Sequence, residues 1–420
     1  MRLDIRRLSE GFKSSAKNQA AFDLFYYDFF GKRACDYGFL PRPALWLNRN
    51  PFFLAIVRAS SVFAYFFWRY FACIYLFARL MRLMRFMAKS SKSSRSKVYR
   101  GEVVLSVCRR SVDVVVQVTP PDENLIWMAI PGYSDFDKLD SAISALSVLS
   151  VKDLMASFVI ACRLHFYLAG EREPSIVFQS YTALDWVVTY RALTIISPRK
   201  IFTAEHHDRW AVLLDSYCEN VNASGGDRIE FVLVQHGLEF GATYKKMIEL
   251  GLLRGLPYKL RNLTLMYVYD DSQLNVFKRF IVCEQSFYSG LLCNFYSYKL
   301  PLAEICATNT ILIIGNVACE EFHFQLYVKL NELFSFTCFY KPHPVLGSSS
   351  NVMHAGWVYI DDKDYFPLVD LVISYPSTLA SEYKAAEVKV VEHAFNADCT
   401  DIEKIITVMA DELTWPRKGA

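Results

Sequence analysis

Strand-sized apolar runs alternating with helix-sized stretches predict an α/β protein with parallel sheets. The pattern starts near Val98, after a polar basic segment, and begins again at Thr310, so two Rossmann-like domains facing a cleft are expected. Length agrees: 420 residues at 53% hydrophobic and 21% charged are too many for one ordinary core and too apolar for disorder. No repeat of solenoid period is present.

The N-terminal part differs from the rest in charge. Residues 1–100 carry 19 Lys and Arg against 5 Asp and Glu, while the remainder carries 27 against 38. No acidic residue lies between Tyr37 and Gly101, and the most hydrophobic stretch of the chain, Pro51–Ala88, falls in that interval. Its basic residues are separated by aromatic runs such as Val62–Trp68 and Tyr70–Phe77, whereas a nucleic-acid groove would be polar there. Anionic lipid is therefore the expected partner and nucleic acid is not. A spanning helix needs about 20 largely uncharged residues, yet Arg58, Arg69 and Arg79 leave no uncharged run longer than ten. At 100° per residue these arginines share about 80° of arc, so a helix could lie in the interface with arginines toward phosphate and aromatics toward acyl chains. Packing of the segment on the globular body, with arginines snorkelling at the rim, is the alternative. Met1 is followed by charged sequence without the short apolar core of a secretory signal. Eleven cysteines, with no C-x-x-C pair, argue against a disulfide framework and a Cys-rich zinc site, and point to a reduced compartment.

Residues 1–97 thus form a basic, helical, membrane-associating region that ends in the Ser90–Lys97 linker. The expected N-terminal Rossmann-like domain, residues 98–305, has strands at Glu102–Val107, Val112–Thr119, Leu125–Ile130, Ser175–Phe178, Ile201–Thr203, Ile229–Val234 and Leu263–Val268. Helices are expected at Thr182–Ile196, His207–Glu219 and Ser272–Cys283. In the C-terminal domain, residues 306–420, strands are expected at Ile311–Ile314, Phe336–Tyr340, Trp357–Ile360, Leu371–Ser374 and Val388–Val391, with helices over Glu320–Phe334 and Thr378–Ala386.

Ligands of open α/β sheets bind beyond the carboxyl ends of the strands. Three such ends carry chemistry. Phe339–Tyr340–Lys341–Pro342–His343–Pro344 presents a cation and an imidazole on a proline-stiffened turn suited to phosphate. Ser374–Tyr375–Pro376–Ser377–Thr378 runs into a helix whose first N–H groups suit an anion, although Ser377 or Thr378 would equally serve as a plain N-cap. Gln235–His236–Gly237 ends a strand of the first domain.

This order (Q-H-G, then I-I-G-N, K-P-H-P and S-x-P-S-T) resembles GT-B glycosyltransferases of bacterial capsule and lipopolysaccharide synthesis. It is similar in pattern to Kdo and sialic-acid transferases with cytidine-activated donors and to teichoic-acid glycerophosphotransferases. The resemblance, over Ser175–Val391, implies donor-phosphate contacts from His343 helped by Lys341, and from Ser377 and Thr378. It also implies a base in the other domain and metal-independent inverting transfer with no cofactor beyond the CMP- or CDP-linked donor. His236 is the first choice, because imidazole titrates near neutral pH; Glu239 is the alternative. Where Kdo and sialyl transferases carry an acid before glycine, this chain has His236–Gly237, as the glycerophosphotransferases do. Glu205, with His206 and His207, follows another strand end, as base support or acceptor contact or as a charged helix start. If His206 and His207 lay on a helix they would point to different sides, which disfavours a shared metal. Gly315 is a candidate for close backbone approach to the nucleotide or a turn glycine, and Asp361, Asp362, Asp364 or Glu382 for the ribose.

The implied acceptor is a growing surface polysaccharide or lipid-linked glycan, and the implied location is the cytoplasmic face of the bacterial inner membrane, peripherally bound. A scaffold of an assembly or export complex, inactive but keeping the fold, is the competing class. The nucleophile elbow, Walker phosphate loop, H-E-x-x-H and G-x-G-x-x-G patterns are all missing.

Overall fold

The computed structural model describes residues 4–29, 33–37, 39, 41, 51–90, 101–106, 109–119, 125–131, 142–225, 227–239, 256–343, 348–395 and 397–412. The Ser90–Lys97 linker, apart from Ser90, and Pro344 lie outside them. The chain divides into two compact units, Met1–Tyr296 and Ser297–Ala420, so the basic N-terminal region belongs to the first unit and the division precedes residue 305.

In the first unit the helices are α1 Ile5–Phe29, α2 Pro51–Ser90, α3 Arg109–Val118, α4 Val151–Ala169, α5 Pro174–Phe178, α6 Ala183–Ile196, α7 Arg209–Ala223, α8 Asp271–Val276 and α9 Glu284–Tyr288. The strands are β1 Glu102–Ser106, β2 Leu125–Ala129, β3 Ala142–Ser144, β4 Lys200–Thr203, β5 Glu230–Val234, β6 Leu265–Val268 and β7 Leu292–Phe295. They form one sheet in the order β3-β2-β1-β4-β5-β6-β7, and every pairing is parallel. Glu102 stands opposite Leu125 on one side and Lys200 on the other, so the chain reverses direction across the sheet between β1 and β4. That is the switch point where doubly wound sheets take ligands.

The second unit repeats the logic on a smaller scale. Its strands β8 Leu302–Ala303, β9 Thr310–Ile314, β10 Thr337–Lys341, β11 Val358–Tyr359, β12 Phe366–Pro367, β13 Leu371–Ser374 and β14 Lys389–Glu392 alternate with helices α10 Glu320–Leu333, α11 Ser350–Met353, α12 Thr378–Ala385 and α13 Cys399–Glu412. Five strands form a parallel sheet, β11-β10-β9-β13-β14, with its switch point between β9 and β13; β8 and β12 make a separate pair.

Two expected strands are helices. All of Val112–Thr119 but its last residue lies in α3, whose buried positions Ser111, Val112, Val114 and Val115 follow helical rather than alternating spacing. Ser175–Phe178 is α5, where Pro174 at the first turn supplies the fixed φ and lacks only an N–H that would be unpaired there anyway. The expected helix from Ser272 breaks after Val276 into one wider turn, Phe277–Ile281.

Helices α1 and α2 complete the core of the first unit. Leu8, Phe12, Ala16 and Ala20 of α1 join Leu76, Leu80, Leu83 and Met87 of α2 in one cluster with α4, α6 and α7. At Gly11 a Cβ would come within 2.9 Å of Ser216 Cβ, so α1 and α7 approach more closely than a side chain would allow.

The arginine arc of α2 differs from expectation. Arg79 faces the protein: its Nε donates to both Asp185 oxygens at 3.1 Å, and its Nη2 reaches Pro131 O at 3.0 Å. Arg69 Nη1 donates to Tyr65 OH at 2.8 Å, and its carbonyl accepts from His165 Nε2 at 3.1 Å. The Arg58 side chain lies outside the described residues. The reason is helical geometry: Arg69 and Arg79 share the arc of Ala72, Leu76 and Leu83, which is the buried one. The opposite arc exposes Phe63, Phe67, Tyr70, Phe71, Ile74 and Phe77. Among the described residues no helix is long and apolar enough to cross a membrane.

Candidate active site

The carboxyl ends of β4 and β5 hold a polar cluster. Beyond β4 the chain stays out of the helix until Asp208, whose carboxylate caps α7 by accepting from Trp210 N at 2.7 Å and Ala211 N at 3.0 Å. His206 and His207 therefore lie on non-helical backbone and converge, contrary to the expectation for a helix. Both turn Nδ1 toward Glu239 Oε1, at 2.7 and 3.4 Å.

Because a carboxylate accepts, His206 Nδ1 carries the proton and its Nε2 is an acceptor, which receives the His236 backbone N–H at 3.1 Å. His236 Nδ1 is in hydrogen-bond contact with Ala204 O and lies 3.2 Å from His206 Nε2. A carbonyl can only accept, so this nitrogen donates and the lone pair of His236 sits on Nε2. Burial pushes the Glu239 carboxyl up, but His207 and His206 outweigh it and hold the group well below the carboxylate range. Glu239, His206 and His236 form one chain of carboxylate and two imidazoles.

Gln235, read in the sequence only as part of the Q-H-G pattern, and Gln273, not singled out there, fix the turn bearing His236 and Glu239. Gln235 is fully buried and donates to Gly237 O at 2.8 Å and to Gln273 Oε1 at 2.6 Å. Gln273 in turn accepts from Glu239 N at 2.8 Å and donates to Glu239 O at 3.2 Å. Helix α1 braces the other side: Phe22 stacks on His207 with centroids 3.8 Å apart, and Asn18 Nδ2 donates to His207 O at 3.1 Å. A glutamine at the start of the expected Ser272–Cys283 helix was the only available signal for Gln273; Phe22 and Asn18 gave none, being nearly two hundred residues away in sequence. Glu205 is buried separately at the β1/β4 switch point and accepts from Ser111 Oγ at 3.1 Å, beside the start of α3.

In the second unit the strand ends carry the remaining expected site residues. Lys341 Nζ donates to Asp362 O and Tyr365 O, both at 2.8 Å, and lies 4.6 Å from the Phe366 ring centroid. Burial lowers its pKa to about 8 against the pull of Asp362 and Asp364. The ammonium holds the 362–365 loop at the strand end where the resemblance expects it to serve phosphate. At Gly315 a Cβ would stand 2.6 Å from Tyr340 Cε1, so the Tyr340 ring approaches this glycine closely. Ser377 is the N-cap of α12, its Oγ accepting from Ala380 N at 3.1 Å and lying 3.2 Å from Ser374 Oγ. Thr378 opens that helix, and Glu382 is buried within it. His343 is half-buried just beyond β10, with its pKa lowered by burial. Of the ribose candidates, Asp362 Oδ1 accepts from Asp364 N at 2.9 Å, and Asp361 is exposed.

No family model matches the chain, and no curated protein matches it. Among solved structures it is similar to MurG of Acinetobacter baumannii, at 10% identity and TM-score 0.34 over 74% of this chain and 83% of that one. It is also similar to an α/β-galactoside α-2,3-sialyltransferase of the luminous marine bacterium Photobacterium phosphoreum, at 11% identity and TM-score 0.34 over 74% and 95%. Neither likeness carries weight at that score. The class assignment, two Rossmann-type parallel α/β units with a helical N-terminal region, rests on the strand orders themselves.

Proposed function

We propose that the protein is a GT-B glycosyltransferase that moves a sugar or polyol phosphate from a CMP- or CDP-linked donor to a surface polysaccharide or lipid-linked acceptor. The carrying observation is the Glu239–His206–His236 chain at the ends of β4 and β5. The acceptor hydroxyl gives its proton to His236 Nε2 as its oxygen bonds the reacting carbon or phosphorus, and the nucleotide leaves with the electron pair of the broken bond. The new imidazolium keeps its Nδ1–H on Ala204 O and His206 Nε2, and the Glu239 carboxylate behind His206 stabilises the charge. The departing phosphate is assigned to His343, Thr378 and the start of α12, and transfer needs no metal in this reading.

The same proposal places the protein peripherally on the cytoplasmic face of the bacterial inner membrane. Its support is the exposed aromatic arc of α2 together with exposed Met155, Val159 and Phe166 of α4, which packs beside it, and the exposed Arg82 and Arg85. An inactive scaffold is the second reading, favoured by the structural employment of Lys341, Ser377 and Gly315.

His236→Ala decides between them. The catalytic reading expects turnover to fall roughly 10²–10⁴-fold while CMP affinity stays near that of the parent protein. Transfer activity undiminished in a folded His236→Ala protein would remove the base assignment, and no transfer from any nucleotide-linked donor by the parent protein would favour the scaffold.

A further inference from the structure

The second unit contains a cluster that the transfer chemistry does not use. Cys319, His323 and His393 are all buried, and their potential ligand atoms lie within 4.8 Å of one another. Cys319 ends the short turn before α10 and His323 sits one helical turn on, so an i, i+4 pair presents thiol and imidazole on one face. His393 arrives from the end of β14, anchored by its backbone N–H on Ser374 O at 2.9 Å.

We infer that Cys319, His323 and His393 bind a divalent transition-metal ion, with Zn²⁺ the best match to one thiolate and two imidazoles.

Two features of the geometry support the site. First, the two imidazole Nε2 atoms face each other at 2.9 Å. Two zinc-bound nitrogens in a tetrahedral site stand about 3.4 Å apart, so small side-chain shifts would admit the ion. Second, His393 Nδ1 donates to Ala394 O at 2.8 Å, which puts its lone pair on Nε2, the atom facing the cluster. Such an outer bond to a carbonyl is how ligating histidines are oriented. With the His393 lone pair on Nε2, His323 donates from its own Nε2 in the metal-free protein.

On binding, the thiol loses one proton to solvent and S–Zn and two N–Zn bonds form. His323 moves its proton from Nε2 to Nδ1, so neither imidazole changes charge. Three protein ligands leave a fourth position for water or a small anion. The cluster joins the segments after β9 and after β14, on either side of β13, so the ion would tie the carboxyl edge of this sheet together.

The test uses the full-length protein, stripped by chelator and titrated with Zn²⁺ and, separately, Co²⁺. The site predicts about one Zn²⁺ retained per chain after desalting, a rise in thermal midpoint on adding Zn²⁺, and a thiolate-to-cobalt charge-transfer band with Co²⁺. Cys319→Ser should abolish that band, and Cys319→Ser and His393→Gln should each weaken Zn²⁺ binding by at least about 100-fold. Cys399→Ser, at an exposed cysteine, should change neither. Absence of stoichiometric Zn²⁺ and of the cobalt band in the parent protein overturns the inference without requiring any variant to fold. Full retention of metal by Cys319→Ser overturns it equally.

Discussion

Breaking the Arg79–Asp185 pair tests whether α2 is built into the first unit. The guanidinium makes three contacts with the carboxylate, Nε to each oxygen at 3.1 Å and Nη2 to Oδ1 at 3.0 Å, with side chains only 13% and 12% exposed. Removing one partner of a buried pair strands the other charge, which costs about 3–5 kcal/mol, whereas an exposed pair contributes about 1 kcal/mol or less. Arg79→Met should therefore lower the free energy of urea unfolding of the first unit by roughly 3 kcal/mol or more. Asp185→Asn in the same background should recover much of the loss, since no charge remains to be stranded. The pH dependence has a defined sign. Burial, outweighing Arg79, raises the Asp185 pKa from 3.8 to about 6, so the folded state holds this proton more tightly than the unfolded chain. Stability from this group is complete at low pH and falls as pH rises from about 4 through about 6. Without Arg79 the carboxyl titrates higher still, so the deficit of Arg79→Met should be larger at about pH 8 than at about pH 5. A loss below about 1 kcal/mol at pH 8, or no recovery with Asp185→Asn, would refute a docked α2.

Glu239→Gln should reduce turnover roughly 10²-fold and shift the basic rise of the rate–pH profile to lower pH, because His236 loses the negative group behind His206; an unchanged profile would separate Glu239 from the base. Replacing Phe63, Phe67 and Ile74 together by Ser should weaken binding to anionic phospholipid vesicles by ~10³-fold, at about 1.5 kcal/mol per side chain no longer buried in lipid, as read by co-sedimentation. Gly315→Ala should destabilise the second unit by about 1–3 kcal/mol or more in thermal unfolding, since Tyr340 is buried, stacks on Trp357 at 4.5 Å and cannot retreat.

What could be read in advance follows from the range of the interactions. Short apolar runs ending at polar strand termini identified β4, β5, β9 and β13, and the histidines at strand ends located the polar cluster. Val112–Thr119 was misread because its Val-rich composition favours a strand, while its burial on one helical face depends on tertiary contacts. Lys341 was assigned to phosphate, and Gly315 to nucleotide approach or a turn, from their neighbours in sequence, whereas the Asp362–Tyr365 loop and the Tyr340 ring beside them are set by the fold. The arginine arc was correctly spaced but assigned to the wrong side, because nothing local to α2 indicates that Asp185 lies opposite Arg79. Cys319 and His323 stand as C-x-x-x-H in the sequence but were not singled out there, and the third member, His393, is brought in by β14.

The central claim, a cytidine-nucleotide-dependent transferase, is tested most directly by thermal-shift titration with CMP, CDP, UDP and GDP. A ligand at a hundred times its dissociation constant stabilises the state it binds by about 2.7 kcal/mol. CMP or CDP should give a saturable rise in midpoint, smaller or absent with UDP and GDP, and lost in His343→Ala. No shift with any nucleotide, or a CMP shift that survives intact in folded His343→Ala, would contradict it.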